Sequence, residues 1–236
     1  MAALGDVHGN CIALVPVLEE LAVEDVDLVW TGDLSWGSEP SETPELVRSL
    51  DAPARYVREN GERALLDLRD GRFEAPTERE AWMLAPTQRT TSRSSNPSST
   101  PLGGHTRSRY HVLHARPPRS DEELLTETRI RAATGEIAAR VLVTGHTHCQ
   151  YDQEVAGLRA LNPGSVGLPY EGRVGAYWAL LGPDVEPRRT EYDVEAAVAR
   201  MRSTDDPSVE VIVELMLQPR SREEAMEHAE MLEFSE

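Results

Sequence analysis

Residues 1–10 read MAALGDVHGN, and residues 141–148 read VLVTGHTH. Each segment is a short apolar run that predicts a β-strand, and each continues into a turn that contains glycine. Two polar side chains follow in each turn, Asp6 with His8 and His146 with His148. Residues two apart in a turn can point at one place, so each pair indicates a shared ligand-binding position.

Two further apolar runs end in the same way. The run DLVWTGDL leads to Asp33, and the run ARYVREN leads to Asn60. In open α/β sheets, binding sites form where loops leave the carboxyl ends of the strands. Asp, Asn and His are ligands for divalent transition metals. Taken singly, each residue is also an ordinary turn or cap residue, but their combination in this order predicts a metal site.

The order of elements predicts an α/β protein. Strands alternate with helices in the first half, and short strands dominate later, which favours two layers of sheet flanked by helices. The predicted helices cover residues 11–22, 44–50, 62–70, 77–85, 121–139, 194–202, 208–217 and 221–232. Further strands are predicted at LRALNPGSVG, GAYWALLG and VEPRRTEYDV. We expect a single domain over residues 1–236, with acidic helices in residues 206–236.

Charge and composition restrict the partners. The net charge is −17, from 24 basic and 41 acidic residues, which argues against general binding to nucleic acid or anionic membranes. No apolar run approaches the ~18 residues that span a bilayer. Two cysteines, Cys11 and Cys149, without a signal peptide predict a reducing cytoplasm. The sequence leaves a homo-oligomer open.

The segments GDVHGN, GDL, RENGER, GHTH and NPGSVG resemble, in this order, motifs of the calcineurin-like metallophosphoesterases. The closest resemblance is to the small bacterial and archaeal phosphodiesterase branch, and it covers residues 1–85 and 118–182. It implies a four-layer αββα sandwich. It also implies a phosphoesterase, and most readily a phosphodiesterase, that hydrolyses small-molecule phosphate esters with a hydroxide bridging two divalent ions. The ions would be Mn, Fe, Zn, Ni or Mg.

The resemblance also implies a role for each matching residue. The loops would supply the ligands of both ions: Asp6, His8 and His148 for the first, Asp33 as a bridge, and Asn60 with His146 for the second. Asn60 would also belong to the catalytic centre. Asn10 and Arg58 are adjacent to these motifs, and each either contacts phosphate or supports a turn.

The third motif departs from the family pattern. The family has Gly-Asn-His followed by Asp or Glu, whereas residues 59–62 are Glu-Asn-Gly-Glu. Gly61 cannot protonate a leaving group, and general acid catalysis contributes roughly 10²–10⁴-fold. Its loss favours substrates with acidic leaving groups, such as activated phosphodiesters. Glu59 replaces a glycine of the family pattern, and this exchange either weakens the predicted site or places an additional carboxylate close to it.

Residues 87–118, TQRTTSRSSNPSSTPLGGHTRSRYHVLHARPP, are anomalous because they contain no Asp or Glu. The family has a strand here, followed by His-Gly-x-Pro, whose histidine binds the second ion. We consider three interpretations: a disordered insertion, a basic binding arm, or translation out of frame. Codons CAY GCA CGG for residues 114–116, read one base later, would give His-Gly beside Pro118. Sequencing the gene across codons 84–120 separates these interpretations.

The absence of the histidine of the His-Gly-x-Pro motif affects the predicted second metal site and therefore the predicted function. If the written sequence is the polypeptide, we predict His114 as the seventh ligand, with His111 and His105 as alternatives. A weakened second site, together with Gly61 and Glu59, supports a second hypothesis. In that hypothesis the protein is a degenerate family member that binds one metal and acts as a metal-binding or regulatory protein, with impaired enzymatic activity.

Overall fold

The computed structural model describes residues 1–22, 24, 26–50, 54–57, 60–72, 77–91, 111–112, 126–133, 141–182 and 184–231. The strands are β1 (Ala2–Leu4), β2 (Leu28–Trp30), β3 (Ala54–Tyr56), β4 (His111–Val112), β5 (Val141–Val143), β6 (Gln150–Val155), β7 (Leu158–Pro163), β8 (Ala176–Leu181) and β9 (Val185–Thr190). The helices are α1 (Cys11–Leu21), α2 (Glu42–Arg48), α3 (Asn60–Arg69), α4 (Glu78–Thr91), α5 (Glu127–Ala133), α6 (Val194–Arg202), α7 (Val209–Leu217) and α8 (Arg222–Met231). None of these helices is long and apolar enough to cross a membrane.

The strands form two sheets, with the orders β3-β2-β1-β8-β9 and β4-β5-β7-β6. In the first sheet, β1, β2 and β3 are parallel, and Leu4, Trp30 and Tyr56 lie opposite one another at their ends. In the second sheet, β4, β5 and β7 are parallel. Parallel strands that end level release their following loops at one edge of the sheet. The polar residues that follow β1 and β2 therefore lie at the same edge.

The two sheets pack face to face. The core between them contains Ala3, Val143, Leu161, Ala179 and Leu181, from β1, β5, β7 and β8. Since side chains alternate along a strand, the neighbours of Ala3 point to the opposite face of the first sheet. There Ala2 and Leu4 pack against the buried face of α1.

The outer face of the second sheet is covered by α5 and α8. Ile130 from α5 and Ala225 from α8 pack with Leu142 and Tyr151. Helix, sheet, sheet and helix thus form four layers, which confirms the predicted αββα sandwich.

The described elements match the predicted ones in type and order, with three corrections. The helix predicted over residues 77–85 extends as α4 to Thr91, into the anomalous residues 87–118. The strand β6 was not predicted. The third strand was predicted to continue to Asn60, but β3 ends at Tyr56 and Asn60 begins α3. Of the predicted helix over residues 121–139, the described part contains α5.

A buried ion pair joins distant parts of the chain. The carboxylate of Asp206, before α7, accepts hydrogen bonds from Arg79 on α4 at 3.0 Å and from the hydroxyl of Ser38 at 2.9 Å. Asp206 also accepts from the Ser208 N–H at 2.9 Å. Burial by itself would raise the pKa of Asp206, but these hydrogen bonds and the charge of Arg79 outweigh burial and lower it.

Replacing Arg79 with alanine is expected to lower the free energy of unfolding by about 3 kcal/mol, because a buried carboxylate loses its counter-charge. Asp206 has a lowered pKa in the fold, so the pair is complete above the ordinary carboxyl pKa of about 4 and is lost as pH falls through the folded-state value. Urea denaturation at neutral pH and in acid measures both effects. The decrease in the free energy of unfolding caused by Arg79→Ala should be smaller in acid. The control Arg202→Ala removes an exposed pair with Glu210 and should cost less than about 1 kcal/mol. Equal losses in both variants would contradict this.

Candidate metal centre

Backbone and side-chain hydrogen bonds hold together the three loops that carry the predicted ligands. Asp6 follows β1, Asp33 follows β2, and His146 follows β5. The N–H of His8 donates to the Asp33 carbonyl at 2.9 Å. The N–H of His146 donates to both carboxylate oxygens of Asp6, at 3.1 and 3.2 Å. The two sheets are therefore joined at the predicted site by the predicted residues themselves.

The backbone is unusual at these loops. Among the described residues, six that are not glycine have a left-handed backbone, and one of them is Ala156 in the turn between β6 and β7. The other five, with φ from 44° to 70°, are Asp6, His8, Asp33, His146 and His148. Residues other than glycine adopt this backbone conformation at a cost of order 1–3 kcal/mol each. Such residues cluster at functional sites. All five are predicted metal ligands.

Two backbone carbonyls fix the tautomers of His8 and His148. Nδ1 of His8 lies 2.8 Å from the carbonyl oxygen of Trp36, and Nδ1 of His148 lies 2.6 Å from that of Leu168. A carbonyl oxygen can only accept a hydrogen bond, so each Nδ1 carries the hydrogen. The Nε2 atom of each neutral ring therefore presents a lone pair.

These lone pairs face each other. The two Nε2 atoms are 2.9 Å apart, Asp6 Oδ1 lies 3.5 Å from Nε2 of His148, and Asp33 Oδ2 lies 3.8 Å from Nε2 of His8. Two lone pairs at this separation repel unless a cation or proton lies between them. Imidazole nitrogens that present lone pairs, together with carboxylate oxygens, are a suitable ligand set for a divalent transition metal. Asp6, His8 and His148 offer ligand atoms within 4.8 Å of one another.

Burial supports the same interpretation. It lowers the pKa of His8 to about 4, and burial with the neighbouring His8 lowers the pKa of His148 well below its ordinary value. Both rings are therefore neutral near pH 7, which is the form that binds metal. Burial and the nearby Asp33 carboxylate raise the pKa of Asp6, and a bound cation would offset both effects.

A pocket of about 280 Å³ opens beside these side chains. Its described lining residues are His8, Asp33, Trp36, Asn60, His146, Thr147, His148, Tyr170, Arg220, Ala225 and His228. Asn60 and His146, the predicted ligands of a second ion, thus lie at the same pocket as His8 and His148. Arg220 and His228 were not predicted, because they lie in the C-terminal region where no motif is recognisable.

Glu62 was also not assigned a role from the sequence. Its carboxylate accepts hydrogen bonds from three consecutive N–H groups, those of Asp33 at 3.1 Å, Leu34 at 2.8 Å and Ser35 at 3.1 Å. The sequence signal that could have indicated this role is that Glu62 occupies the last position of the third motif, where the family has Asp or Glu. Glu62 holds the loop that presents Asp33.

Replacing Glu62 with glutamine is expected to lower activity about 10- to 100-fold, as for other residues that orient a metal ligand. The glutamine side chain accepts hydrogen bonds only through its oxygen, because its other terminal group is an NH2 donor. The loop that carries Asp33 therefore loses part of its support. The rate of aryl phosphodiester hydrolysis and the metal content measure the effect. Glu19 is exposed on α1, and Glu19→Gln is the matched control. An unchanged rate in Glu62→Gln would contradict the role assigned to Glu62.

The NPGSVG segment supports the first and last motifs. The side-chain amide of Asn162 donates to the Gly145 carbonyl at 2.7 Å and to the Thr147 hydroxyl at 3.0 Å. The hydroxyl of Ser165 donates to the Asp6 carbonyl at 2.6 Å. This segment therefore fixes the loops that carry Asp6 and His146.

The remaining predicted residues differ in outcome. Asn10 caps α1 by accepting from the Ala13 N–H at 3.0 Å, and it donates to the Gly167 carbonyl at 3.3 Å. These contacts support the structural alternative for Asn10, and its contact with phosphate stays a prediction. Arg58, Glu59, His105 and His114 lie outside the described residues. For His111 the backbone is described, in β4 beside β5.

Comparison with known proteins gives the family. Residues 1–181 match the calcineurin-like phosphoesterase superfamily domain. The chain belongs to the calcineurin-like phosphoesterase superfamily. Membership supports a metal-dependent phosphoesterase, and it agrees with the donor set at Asp6, His8 and His148. No curated protein sequence matches the chain.

Solved structures are also similar to this member of the superfamily. A metallophosphoesterase from Sphaerobacter thermophilus is 25% identical, with a TM-score of 0.71, and the match covers 92% of this chain and 99% of that one. A hypothetical protein from Pyrococcus horikoshii OT3 is 16% identical, with a TM-score of 0.73, covering 94% and 98%. The second match shows the fold alone. Coverage this high extends past residue 181, so the similarity includes part of the C-terminal helical region.

Proposed function

We propose that the protein is a divalent-metal-dependent phosphodiesterase that acts on esters with acidic leaving groups. The observation that carries the proposal is the pair of facing Nε2 atoms of His8 and His148, 2.9 Å apart and with tautomers set by backbone carbonyls. Membership in the calcineurin-like phosphoesterase superfamily supplies the reaction class. Gly61 stands in place of the family histidine and cannot protonate a leaving group, which is why we limit the proposal to esters with acidic leaving groups.

We infer a ligand set for two divalent ions. Asp6, His8 and His148 would hold one ion, and Asn60 and His146 the other, with Asp33 shared. When bound, such ions lower the pKa of water and neutralise charge on a phosphoryl group. The carbonyls of Trp36 and Leu168 keep the ring nitrogens turned toward the ion. The left-handed backbone at the ligands holds them in place before substrate arrives.

The leaving group receives no proton from residue 61, because glycine has no side chain. Esters whose leaving groups are stable as anions do not need that proton. Activated aryl phosphodiesters should therefore react faster than esters of simple alcohols.

The test uses a series of aryl phosphodiesters with leaving groups of rising pKa, after chelator treatment and Mn²⁺ addition. The expected result is Mn²⁺-dependent turnover that falls steeply along the series, with alkyl phosphomonoesters slowest. Turnover that persists without metal would reject the metal dependence. A flat dependence on the leaving group would reject the inference drawn from Gly61.

A second candidate function rests on a specific observation. The tight donor cluster among the described residues consists of Asp6, His8 and His148, which is the ligand set of one ion. A protein that binds one metal and has a regulatory role would fit that cluster alone. Metal analysis distinguishes the candidates: one equivalent of bound metal without turnover supports the second, and two equivalents with turnover support the enzyme.

We also infer that residues 1–236 form one domain in the cytoplasm. Ala225 of α8 packs in the core of the second sheet, which supports including the acidic C-terminal helices in the domain. Within the anomalous residues 87–118, β4 occupies the sheet position beside β5, where the family resemblance implies a strand.

A further inference from the structure

We propose that Arg220 binds a phosphoryl oxygen of the substrate, so that the C-terminal region supplies the anion-binding group of the pocket. The inference rests on the proposed phosphoesterase function and adds a specificity residue to it. Arg220 lines the same pocket as His8, Asp33 and His148. It lies beyond residues 1–181, which match the family domain.

Contacts with Tyr170 fix the position of Arg220 relative to a predicted ligand. The guanidinium carbon lies 5.6 Å from the centroid of the Tyr170 ring. That ring packs against the His148 ring with centroids 4.7 Å apart, and the Tyr170 N–H donates to the His148 carbonyl at 3.0 Å. Arg220, Tyr170 and His148 thus form a continuous series of contacts.

The backbone is anchored at Arg220 and in the residues that follow it. The Gly172 N–H donates to the Arg220 carbonyl at 2.8 Å. Arg222 forms an ion pair with Glu171 at 3.3 Å and donates to the Gln150 carbonyl. Ala225, on the next turn of α8, is buried against the second sheet. The Arg220 guanidinium is therefore held near the pocket by its surroundings.

The charge of Arg220 is available to a ligand. Across the described part of the chain, no carboxylate oxygen lies within the 4.0 Å that defines an ion pair with Arg220. The side chain is exposed, and within the described residues none of its N–H groups donates a hydrogen bond. These N–H groups can bind an anion, and arginine binds phosphate with well-directed paired hydrogen bonds.

The net charge of the protein makes a local cation at the pocket useful. At −17, the chain as a whole repels an anionic ester. Arg220 is the one arginine among the described residues that line the pocket. A local cation at the pocket gives the substrate a favourable contact in the region where the reaction takes place.

The experiment compares Arg220→Gln and Arg220→Lys with the wild-type full-length protein loaded with Mn²⁺. For Arg220→Gln, we expect KM for an aryl phosphodiester and the dissociation constant for inorganic phosphate to rise together by about 10- to 100-fold. Arg220→Lys keeps the charge and should recover part of the affinity. Bound metal and the urea midpoint should remain as in the wild type. The matched control is Arg202→Gln, which removes an exposed pair with Glu210 and should leave KM unchanged.

The outcomes separate this inference from the proposed function. Wild-type turnover with unchanged KM and phosphate affinity in Arg220→Gln overturns the role of Arg220 alone. Equal losses in Arg220→Gln and Arg220→Lys, together with a lower urea midpoint, show a packing role and also overturn it. Absence of turnover and of phosphate binding in the metal-loaded wild type rejects the phosphoesterase function, and the role of Arg220 with it.

Discussion

Replacing His148 with alanine is expected to reduce phosphodiester hydrolysis by on the order of 10³-fold and to remove at least one metal ion per chain. His148 provides one of the two Nε2 atoms that face each other at 2.9 Å, and its ring is held by the Leu168 carbonyl. The alanine variant keeps Asp6 and His8 but loses the third donor of the cluster. Metal analysis and steady-state kinetics with Mn²⁺ measure the two effects.

The stability of the same variant offers an independent measurement. Metal bound to the folded protein stabilises it by mass action, so the wild-type melting temperature should rise with added Mn²⁺. The melting temperature of His148→Ala should respond much less. His228→Ala, at the mouth of the same pocket, is the control for metal content and should retain the bound ion. A His148→Ala protein with full metal content would show that the cluster is not the binding site.

Restoring the family histidine through Gly61→His is expected to lower activity about 100-fold, although it supplies the missing proton donor. A Cβ atom at position 61 would lie 2.1 Å from Oδ1 of Asp33 and 2.8 Å from Cβ of Trp36. Both contacts are too short for any side chain, so Asp33 must move. A misplaced group at the reaction centre costs about 10²-fold. The general acid, worth roughly 10²–10⁴-fold in an intact site, contributes nothing when the metal ligand is displaced.

Gly61→Ala distinguishes the steric effect of a side chain from the chemical effect of the histidine, because it adds the Cβ without the imidazole. It should lose activity and metal content to a similar extent as Gly61→His. Gly182→Ala is the control, since a Cβ there meets its nearest neighbour at an ordinary 3.5 Å. An increase in the rate for esters with poor leaving groups in Gly61→His would show instead that the loop adapts and the histidine acts as a general acid.

The clustering of the predicted ligands follows from local pattern and topology. A short apolar run followed by a glycine turn marks the end of a strand, and parallel strands place such ends together. Asp6 and Asp33 follow strands of the first sheet and His146 follows a strand of the second, and hydrogen bonds bring the three loops together. The fold class follows from the same alternation of elements. The assignment of ligands to particular ions stays a prediction.

The strand β6 was missed because its sequence, QYDQEV, shows little apolar alternation. It is the edge strand of its sheet, and Tyr151 and Val155 are its buried residues. Asp152 instead forms an ion pair with Arg159 on β7, at 2.7 Å. Edge strands tolerate polar residues on the exposed face, so pattern alone does not distinguish such a strand from a loop.

The roles of Glu62 and Arg220 were missed for a different reason. Glu62 binds backbone N–H groups 27 to 29 residues away, and Arg220 reaches the pocket from a region without a recognisable motif. Such contacts depend on how helices pack on sheets, and neither periodicity nor spacing encodes that. Arg58 and His114 lie outside the described residues, and their roles stay predictions.

The left-handed backbone at Asp6, His8, Asp33, His146 and His148 also has an evolutionary consequence. Glycine adopts this conformation without the steric penalty that other residues meet, so at all five positions the residue best for the backbone differs from the residue that binds metal. Stability and function therefore favour different amino acids at the same codons. At these five positions the fold therefore gives up stability for the side chains that the proposed site needs.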